Sequence, residues 1–300
     1  MRQSSAVPAQ ASAAGFAVLA AARDGRLRQD ALARGACELP RGVGDFTGRT
    51  RELRTLRDLA IRAADHDTAI ESDAGTAVVA AISGTAGIGK TALAVRAAGQ
   101  LADLFPDGRF YLDLRGMDPV PLDAGTALSR LLTALGVAEQ RIPAGEEDRA
   151  GHYRALLRGR RCLIILDNAA HESQVRSLLP SAGPVMVLIT SRRPLAGLEG
   201  VRRIPLAHLA TEEAAELLRG IVGAERAQAD PDGVARVASL CENLPLALRI
   251  AGNRLQARPS PFPPVSGAIF HCFRHITIRY RRPWAVLTSP VRGATVMPHR

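Results

Sequence analysis

The sequence is almost without lysine. Of its 39 lysine and arginine residues only one, Lys90, is a lysine. Arginine is the basic residue everywhere else, so a compact ammonium that can meet phosphate as a point charge is kept in a single place, inside GTAGIGKT. Cysteine is also sparse. The four, at 37, 162, 241 and 272, include no two close enough to make a metal-ligand pair. Cys162 lies in an apolar run and Cys241 in a helical stretch, and both read as small buried hydrophobes of a protein in a reducing cytoplasm. No run of 18 apolar residues exists, which excludes a helix that spans a membrane. The stretch 11–22 faintly resembles a signal peptide, but it is mostly alanine and reads better as a helix or loose linker. Acids are missing from residues 261–300, which hold six arginines and supply +6 of the net charge of +10. The first 260 residues are therefore only mildly basic, and the charge of the whole chain is a weak pointer to nucleic acid.

What is present is ordinary for a folded chain of 300 residues with 47% apolar and 23% charged side chains. Length suggests about two domains. Residues 1–43 read as an N-terminal helix and linker, with one helix near 12–33 and a Pro- and Gly-punctuated link over 38–46. A helix is expected from Arg51 to Asp65, capped by Thr47 or Thr50, with Leu53, Leu56, Leu59 or Ala60, and Ala63 on its apolar face. Residues 66–76 read as a loop. A short continuous apolar run then marks a strand buried on both faces at Val78–Ile82. A third buried strand is expected at Cys162–Leu166, and Arg109–Leu114, Val185–Ile189 and Arg202–Leu206 read as the second, fourth and fifth. Helices are expected between them at Lys90–Leu104, Ala124–Leu135, Glu147–Leu157 and Ser173–Leu179. Alternation of this kind predicts an α/β domain over 44–207 with a parallel sheet covered by helices on both faces. After Leu206 the strands stop. Thr211 is expected to cap a helix at 212–220, Asp230 to cap Pro231–Cys241, and Leu244–Gln256 to follow, giving a small helical subdomain over 208–258. Residues 259–300 carry five of the eleven aromatics and no clear period. They read as a basic tail that is disordered or non-native.

The chemistry begins at Gly84-Thr85-Ala86-Gly87-Ile88-Gly89-Lys90-Thr91, a complete G-x-x-x-x-G-K-[ST] motif after a strand and before a helix. Glycines let the backbone curl so that successive N–H groups face phosphate oxygens, and the helix N-terminus adds partial positive charge. Lys90 is expected to reach the β- and γ-phosphates and Thr91 to offer its hydroxyl to Mg²⁺. Asp167 closes the run Leu163–Leu166 at the carboxyl end of a strand, where a carboxylate can hold the same ion. Asn168 follows, where many ATPases carry a second acid. An amide cannot take the proton of an attacking water, and Glu172 falls in the next helical segment, so fast hydrolysis is not expected. Thr190-Ser191-Arg192 ends the next strand at the same edge. Arg192 is placed to touch the γ-phosphate, with Arg193 as an equally charged competitor. Lys90, Asp167 and Arg192 are thus the candidate catalytic residues, and Thr91 and Asp167 the candidate metal ligands.

Taken in order, Phe46-Thr-Gly-Arg49, GTAGIGKT, LIILDNA, VLITSRR and Leu244-Pro245-Leu246-Ala247 resemble the NB-ARC ATPases of the STAND class, in the form found within SARP/AfsR-type bacterial transcriptional regulators. The resemblance covers about Leu39–Arg258 and implies an ADP/ATP-binding switch with weak hydrolysis at most. It implies that Gly48 and Arg49 lie near the adenine, that Pro245 packs against it, that Arg192 senses the γ-phosphate, and that the ATP state self-associates. Pro245 fits a plain helix-start proline equally well. The resemblance also implies a core cut at both ends, since regulators of this kind carry further domains. Direct DNA contact is not expected, because no helix-turn-helix pattern is seen. The competing readings are a P-loop ATPase with genuine turnover and a non-functional fragment of a regulator.

Overall fold

The computed structural model describes residues 38–64 and 77–257. The expected helix near 12–33, the loop at 66–76 and the tail at 259–300 lie outside the described residues, as do Cys37 and Cys272. The chain divides into two compact units. One runs through Thr85 and resumes over Gly89–Ala207; the other takes Ala86–Ile88 and the chain from His208 onward.

In the first unit, helix α1 spans Thr50–Ala64 and buries Leu56, Ala60 and Ala63. Neither expected threonine caps it. Thr50 is already helical, and Thr47 Oγ1 donates to the Asp45 carbonyl. The strands are β1 (Val78–Ser83), β2 (Gly108–Asp113), β3 (Cys162–Ala169), β4 (Val185–Ser191) and β5 (Val201–Pro205). They form one sheet in the order β2-β3-β4-β1-β5, and every pair is parallel. The helices between them are α2 (Lys90–Gln100), α3 (Ala124–Ala134), α4 (Glu146–Leu157) and α5 (Glu172–Arg176). The expected helix through Leu104 stops at Gln100, and a separate 3₁₀ turn takes Ala102–Leu104.

Parallel strands need helical crossovers, and these place helices on both faces of the sheet. On one face Val79, Ala81, Phe110, Leu112, Ile164, Leu166, Val187 and Ile189 join Leu128, Leu131, Leu132, Tyr153 and Leu157 of α3 and α4 in a continuous core. On the other, α1 and α2 pack on the sheet, over strand residues such as Ile82, Leu163, Ile165 and Leu188 that are fully buried. Strands buried from both sides must be apolar without interruption, which is why alternation is absent from CLIIL and VMVLI. The parallel sheet, the helices on both faces and the glycine-rich turn after β1 together are the α/β fold of the P-loop NTPases.

Strands β1, β3 and β4 run further toward their carboxyl ends than hydropathy suggests, whereas β2 and β5 stop one residue short of the expected ends. The apolar run of β3 ends at Leu166, yet the strand continues to Ala169 through a register irregularity against β4. Asn168 takes a left-handed backbone there, with φ 57°, a conformation that asparagine tolerates better than most residues.

The second unit contains α6 (Thr211–Val222), α7 (Ala224–Ala229), α8 (Pro231–Leu240) and α9 (Pro245–Gln256). Its core joins Leu217, Leu218 and Ile221 of α6 to Val234 and Ala238 of α8 and Leu248, Ala251 and Leu255 of α9. Asp230 caps α8 as expected, accepting from the Gly233 N–H at 2.7 Å. Thr211 does not cap α6. The chain is still extended at Ala210, so the helix begins one residue before the expected start, and Glu213 Oε2 accepts from the Ala210 N–H at 3.1 Å. Helix α7 is too short and too alanine-rich to have shown a period. Within this unit the Leu246 N–H, near the start of α9, donates to the Gly87 carbonyl at 3.2 Å. Among the described residues no helix is long and apolar enough to cross a membrane.

Candidate functional site

The turn after β1 is built from glycines in conformations that other residues rarely adopt. Gly84, Gly87 and Gly89 have φ of 152°, 76° and 95°, which only a residue without Cβ takes at little cost. Gly89 delivers the chain directly into α2, so Lys90 and Thr91 stand in the first turn of that helix. Lys90 Nζ donates to the carbonyls of Gly84 and Thr85 at 3.0 and 2.9 Å. Burial, and then the Arg192 charge, lower the Lys90 pKa to about 8, and Asp167 opposes the shift. The ammonium is thus held among positive and desolvating surroundings that an anion would relieve.

Asp167 ends the apolar part of β3 and is 6% exposed. Its carboxylate accepts from three hydroxyls. Thr91 Oγ1 lies 2.8 Å from Oδ1 and 3.0 Å from Oδ2. Thr190 Oγ1 donates to Oδ1 at 2.5 Å, and the Tyr111 phenol donates to Oδ2 at 2.9 Å. Thr190, itself 1% exposed, also accepts from the Asn168 N–H at 2.9 Å. Among the described residues the ion pairs formed join Arg49 to Glu52 and Arg236 to Asp230. Asp167 belongs to neither; its carboxylate is solvated by neutral hydroxyls, and the Lys90 ammonium acts on it through space. Strand β4, lying between β1 and β3, is what allows Thr190 to reach Asp167.

The two adjacent arginines are separated by their surroundings. Arg192 is exposed and near enough to Lys90 to depress its pKa. Arg193 instead lends its charge to Glu172, whose pKa is lowered first by backbone hydrogen bonds at Glu172 itself and Gly197 and only then by Arg193 and His171. Glu172 Oε1 accepts from the Gly197 N–H at 3.3 Å, so this carboxylate is taken up at the start of α5. At position 168, Asn places an amide where a second acid would otherwise follow Asp167.

Lys90, Thr91, Asp167 and Arg192 are therefore brought together at the carboxyl edge of the sheet. Gly48 and Arg49 lie just before α1, both with positive φ, 72° and 60°. The Arg49 guanidinium is 6% exposed and donates to the Ala207 carbonyl at 2.7 Å while pairing with Glu52 at 3.3 Å. Pro245 is the first residue of α9 in the helical unit, a position its fixed φ and missing N–H suit.

Sequence reasoning missed three supports of this edge. Tyr111 is one. Gly116 is the second: a Cβ there would lie 2.3 Å from the Asn168 carbonyl oxygen and 2.6 Å from the Ala170 nitrogen, so only glycine lets the β2 exit loop close on the end of β3. The third is Gln174 of α5, 4% exposed. Its amide donates to the Leu114 and Leu122 carbonyls at 2.7 and 2.8 Å and accepts from the Ala170 N–H at 2.9 Å. A glutamine amid an otherwise polar helix start gives no signal of that role in sequence.

No family model matches the chain. Comparison with curated proteins does find relatives. The regulatory protein AfsR of Streptomyces coelicolor is 42% identical over 222 residues, which is 74% of this chain and 22% of that protein. Over those residues the chain is similar to the AfsR regulatory protein. The AfsR of Streptomyces griseus is 41% identical over 221 residues, again 74% of this chain and 22% of the relative. The chain thus spans about a fifth of the length of the AfsR proteins it matches. Among solved structures, a signal transduction ATPase with numerous domains and a tetratricopeptide repeat sensor, from Pyrococcus horikoshii, superposes with a TM-score of 0.44 at 24% identity, covering 80% of this chain and 34% of that one.

Proposed function

We propose that this AfsR-related chain is a nucleotide-binding switch module of a regulatory protein, holding ADP or ATP with Mg²⁺ and hydrolysing ATP weakly at most. The observation that carries the reading is the convergence of Lys90, Thr91, Asp167 and Arg192 on the amino end of α2. Backbone N–H groups of residues 84–91 would surround the phosphates, Lys90 would exchange its bonds to the Gly84 and Thr85 carbonyls for phosphate oxygens, and Arg192 would report the γ-phosphate.

The donor set fits a magnesium ion. Mg²⁺ prefers hard oxygens, keeps several waters, and is commonly held by one or two carboxylates together with substrate phosphates. Asp167 and Thr91 are one carboxylate and one hydroxyl within 3.0 Å of each other, and neither of the ion pairs among the described residues engages the carboxylate. Among the described residues no group of three or more His, Cys, Asp or Glu could hold a metal ion on its own. When bound, the ion neutralises phosphate charge. Weak hydrolysis follows from residues as well. Asn168 cannot accept a proton, and Glu172 is committed to Gly197.

The domain division at 44–207 and 208–258, the placement of Gly48, Arg49 and Pro245 at the adenine, and self-association in the ATP state belong to the same proposal. The regulatory role is supported by the AfsR relatives, which are regulatory proteins by name.

The test is to purify the protein, denature it and identify released nucleotide by chromatography, with Lys90→Ala in parallel. Removing charge-assisted phosphate contacts worth about 1.5–3 kcal/mol corresponds to roughly 10- to 100-fold in affinity. ADP or ATP from the wild type and little from the variant is the expected result. No bound nucleotide, together with no thermal shift on adding Mg-ADP or Mg-ATP, overturns the reading.

A further inference from the structure

Asp167 is held from three sides, and the three donors are not equivalent. The Thr91 hydroxyl lies between both carboxylate oxygens, at 2.8 and 3.0 Å; it has one proton to give and is the group expected to turn toward a cation. Thr190 already works in two directions, donating to Oδ1 and accepting from the Asn168 N–H, and is fixed within β4. Only the Tyr111 phenol makes a dedicated contact to Oδ2, at 2.9 Å.

Tyr111 reaches that oxygen because β2 and β3 are in parallel register, with Tyr111 beside Ile165 and Asp113 beside Asp167. Its side chain rises from a half-buried position toward the strand end. A carboxylate has about four lone-pair sites. Thr190 on one oxygen and Tyr111 on the other fix the plane of the group while leaving the lone pairs on the Thr91 side for a ligand.

We propose that Tyr111 is a positioning residue for the divalent cation, acting through Asp167: it clamps Oδ2 so that the carboxylate meets the ion, or a water on it, without first losing rotational freedom. The inference rests on the nucleotide–Mg²⁺ reading of the site and deepens it. Hydrogen bonds to a metal-ligating carboxylate fix its orientation, and losing them typically weakens metal affinity by about 10- to 100-fold.

The experiment measures ATP affinity by calorimetry in EDTA and across a Mg²⁺ titration, for the wild type, Tyr111→Phe, Asp167→Asn and the double variant. Tyr111→Phe keeps the ring and removes only the hydroxyl. The expected result is a Mg²⁺ midpoint raised about tenfold with metal-free ATP affinity within about twofold of wild type, the latter also reporting an intact fold. In the Asp167→Asn background the same change is expected to do nothing further, because Tyr111 acts through the carboxylate. An unchanged Mg²⁺ midpoint, an equal loss with and without metal, or a full additional loss in the double variant would each overturn the proposal while leaving the nucleotide reading standing. A wild type whose ATP affinity gains nothing from Mg²⁺ would overturn the cation assignment itself and this proposal with it.

Discussion

At the carboxyl edge of the sheet the Thr190 and Tyr111 hydroxyls each donate a hydrogen bond to Asp167, whereas in the main core of the same unit the buried Tyr153 hydroxyl of α4 has no hydrogen-bond partner among the described residues. Tyr153 is wholly enclosed in the main core, and burial pushes its pKa up. The two regions bury similar chemistry and treat it differently. At the edge, polar groups are satisfied in a chain running from the Asn168 N–H through Thr190 to Asp167. In the core, a phenol is used for its ring and its oxygen is left unpaired. A paired buried network is stiff and defines one arrangement, while an unpaired hydroxyl only subtracts stability. The comparison separates residues wired into a polar network from residues placed for packing.

The largest effect should come from Thr190→Val, which keeps the shape and removes the hydroxyl. It strips Asp167 of one donor and the Asn168 N–H of its acceptor, and should lower unfolding free energy by about 1–3 kcal/mol. Urea denaturation at unchanged m would read it; a midpoint equal to wild type would mean that the edge is no better wired than the core.

Next in size is a pair of opposed pH trends at Lys90. Its pKa is about 8 in the folded chain against an ordinary 10.5. Below pH 8 both states are protonated and no dependence arises. Above it the unfolded chain binds more protons, so stability of the nucleotide-free protein should rise with pH. Nucleotide affinity should fall over the same range, by up to about tenfold per pH unit, as the ammonium is lost. The window is pH 8 to 9. Beyond it the Cys162 and Cys241 thiols, pushed up by burial from 9.0 to about 12, pull stability downward as their unfolded counterparts ionise. Thermal melts and calorimetry at pH 7.5, 8.5 and 9.0 should show both trends in the wild type and neither in Lys90→Met.

The smallest effect is expected of Tyr153→Phe. Deleting an unpaired buried hydroxyl should leave stability unchanged or raise it by about 1 kcal/mol, roughly 2–4 °C in Tm for a protein of this size. A clear loss of stability would show that the core hydroxyl is satisfied after all, and the contrast between the two regions would dissolve.

Much of the architecture was legible because burial on both faces leaves uninterrupted apolar runs, and β1, β3 and β4 announce themselves that way, while β2 and β5 carry polar and exposed positions. The motif residues 84–91 and the acid that closes LIIL were visible because their spacing to a strand end is local. What was not legible depends on register. Nothing near Tyr111 in sequence points to Asp167, 56 positions on; the link exists only once β2 is laid beside β3. Gly116 and Gln174 were silent for the same reason, since each serves a neighbour brought in by a crossover. The choice between Arg192 and Arg193 also needed the fold, because adjacent residues at a strand end face different company. The misplaced cap at Thr211 is a smaller matter. Threonine suits the position by chemistry, but backbone conformation at Ala210 decides where the helix begins.

A chain with one lysine carries a single side-chain amine. Because Lys90 titrates near pH 8, a useful fraction of it is a free nucleophile under mild conditions. An amine-directed acylating reagent would therefore mark this protein at two kinds of place only, its α-amino group and the phosphate loop. Occupancy of that loop becomes readable by mass as protection of one peptide, without introducing any label into the sequence.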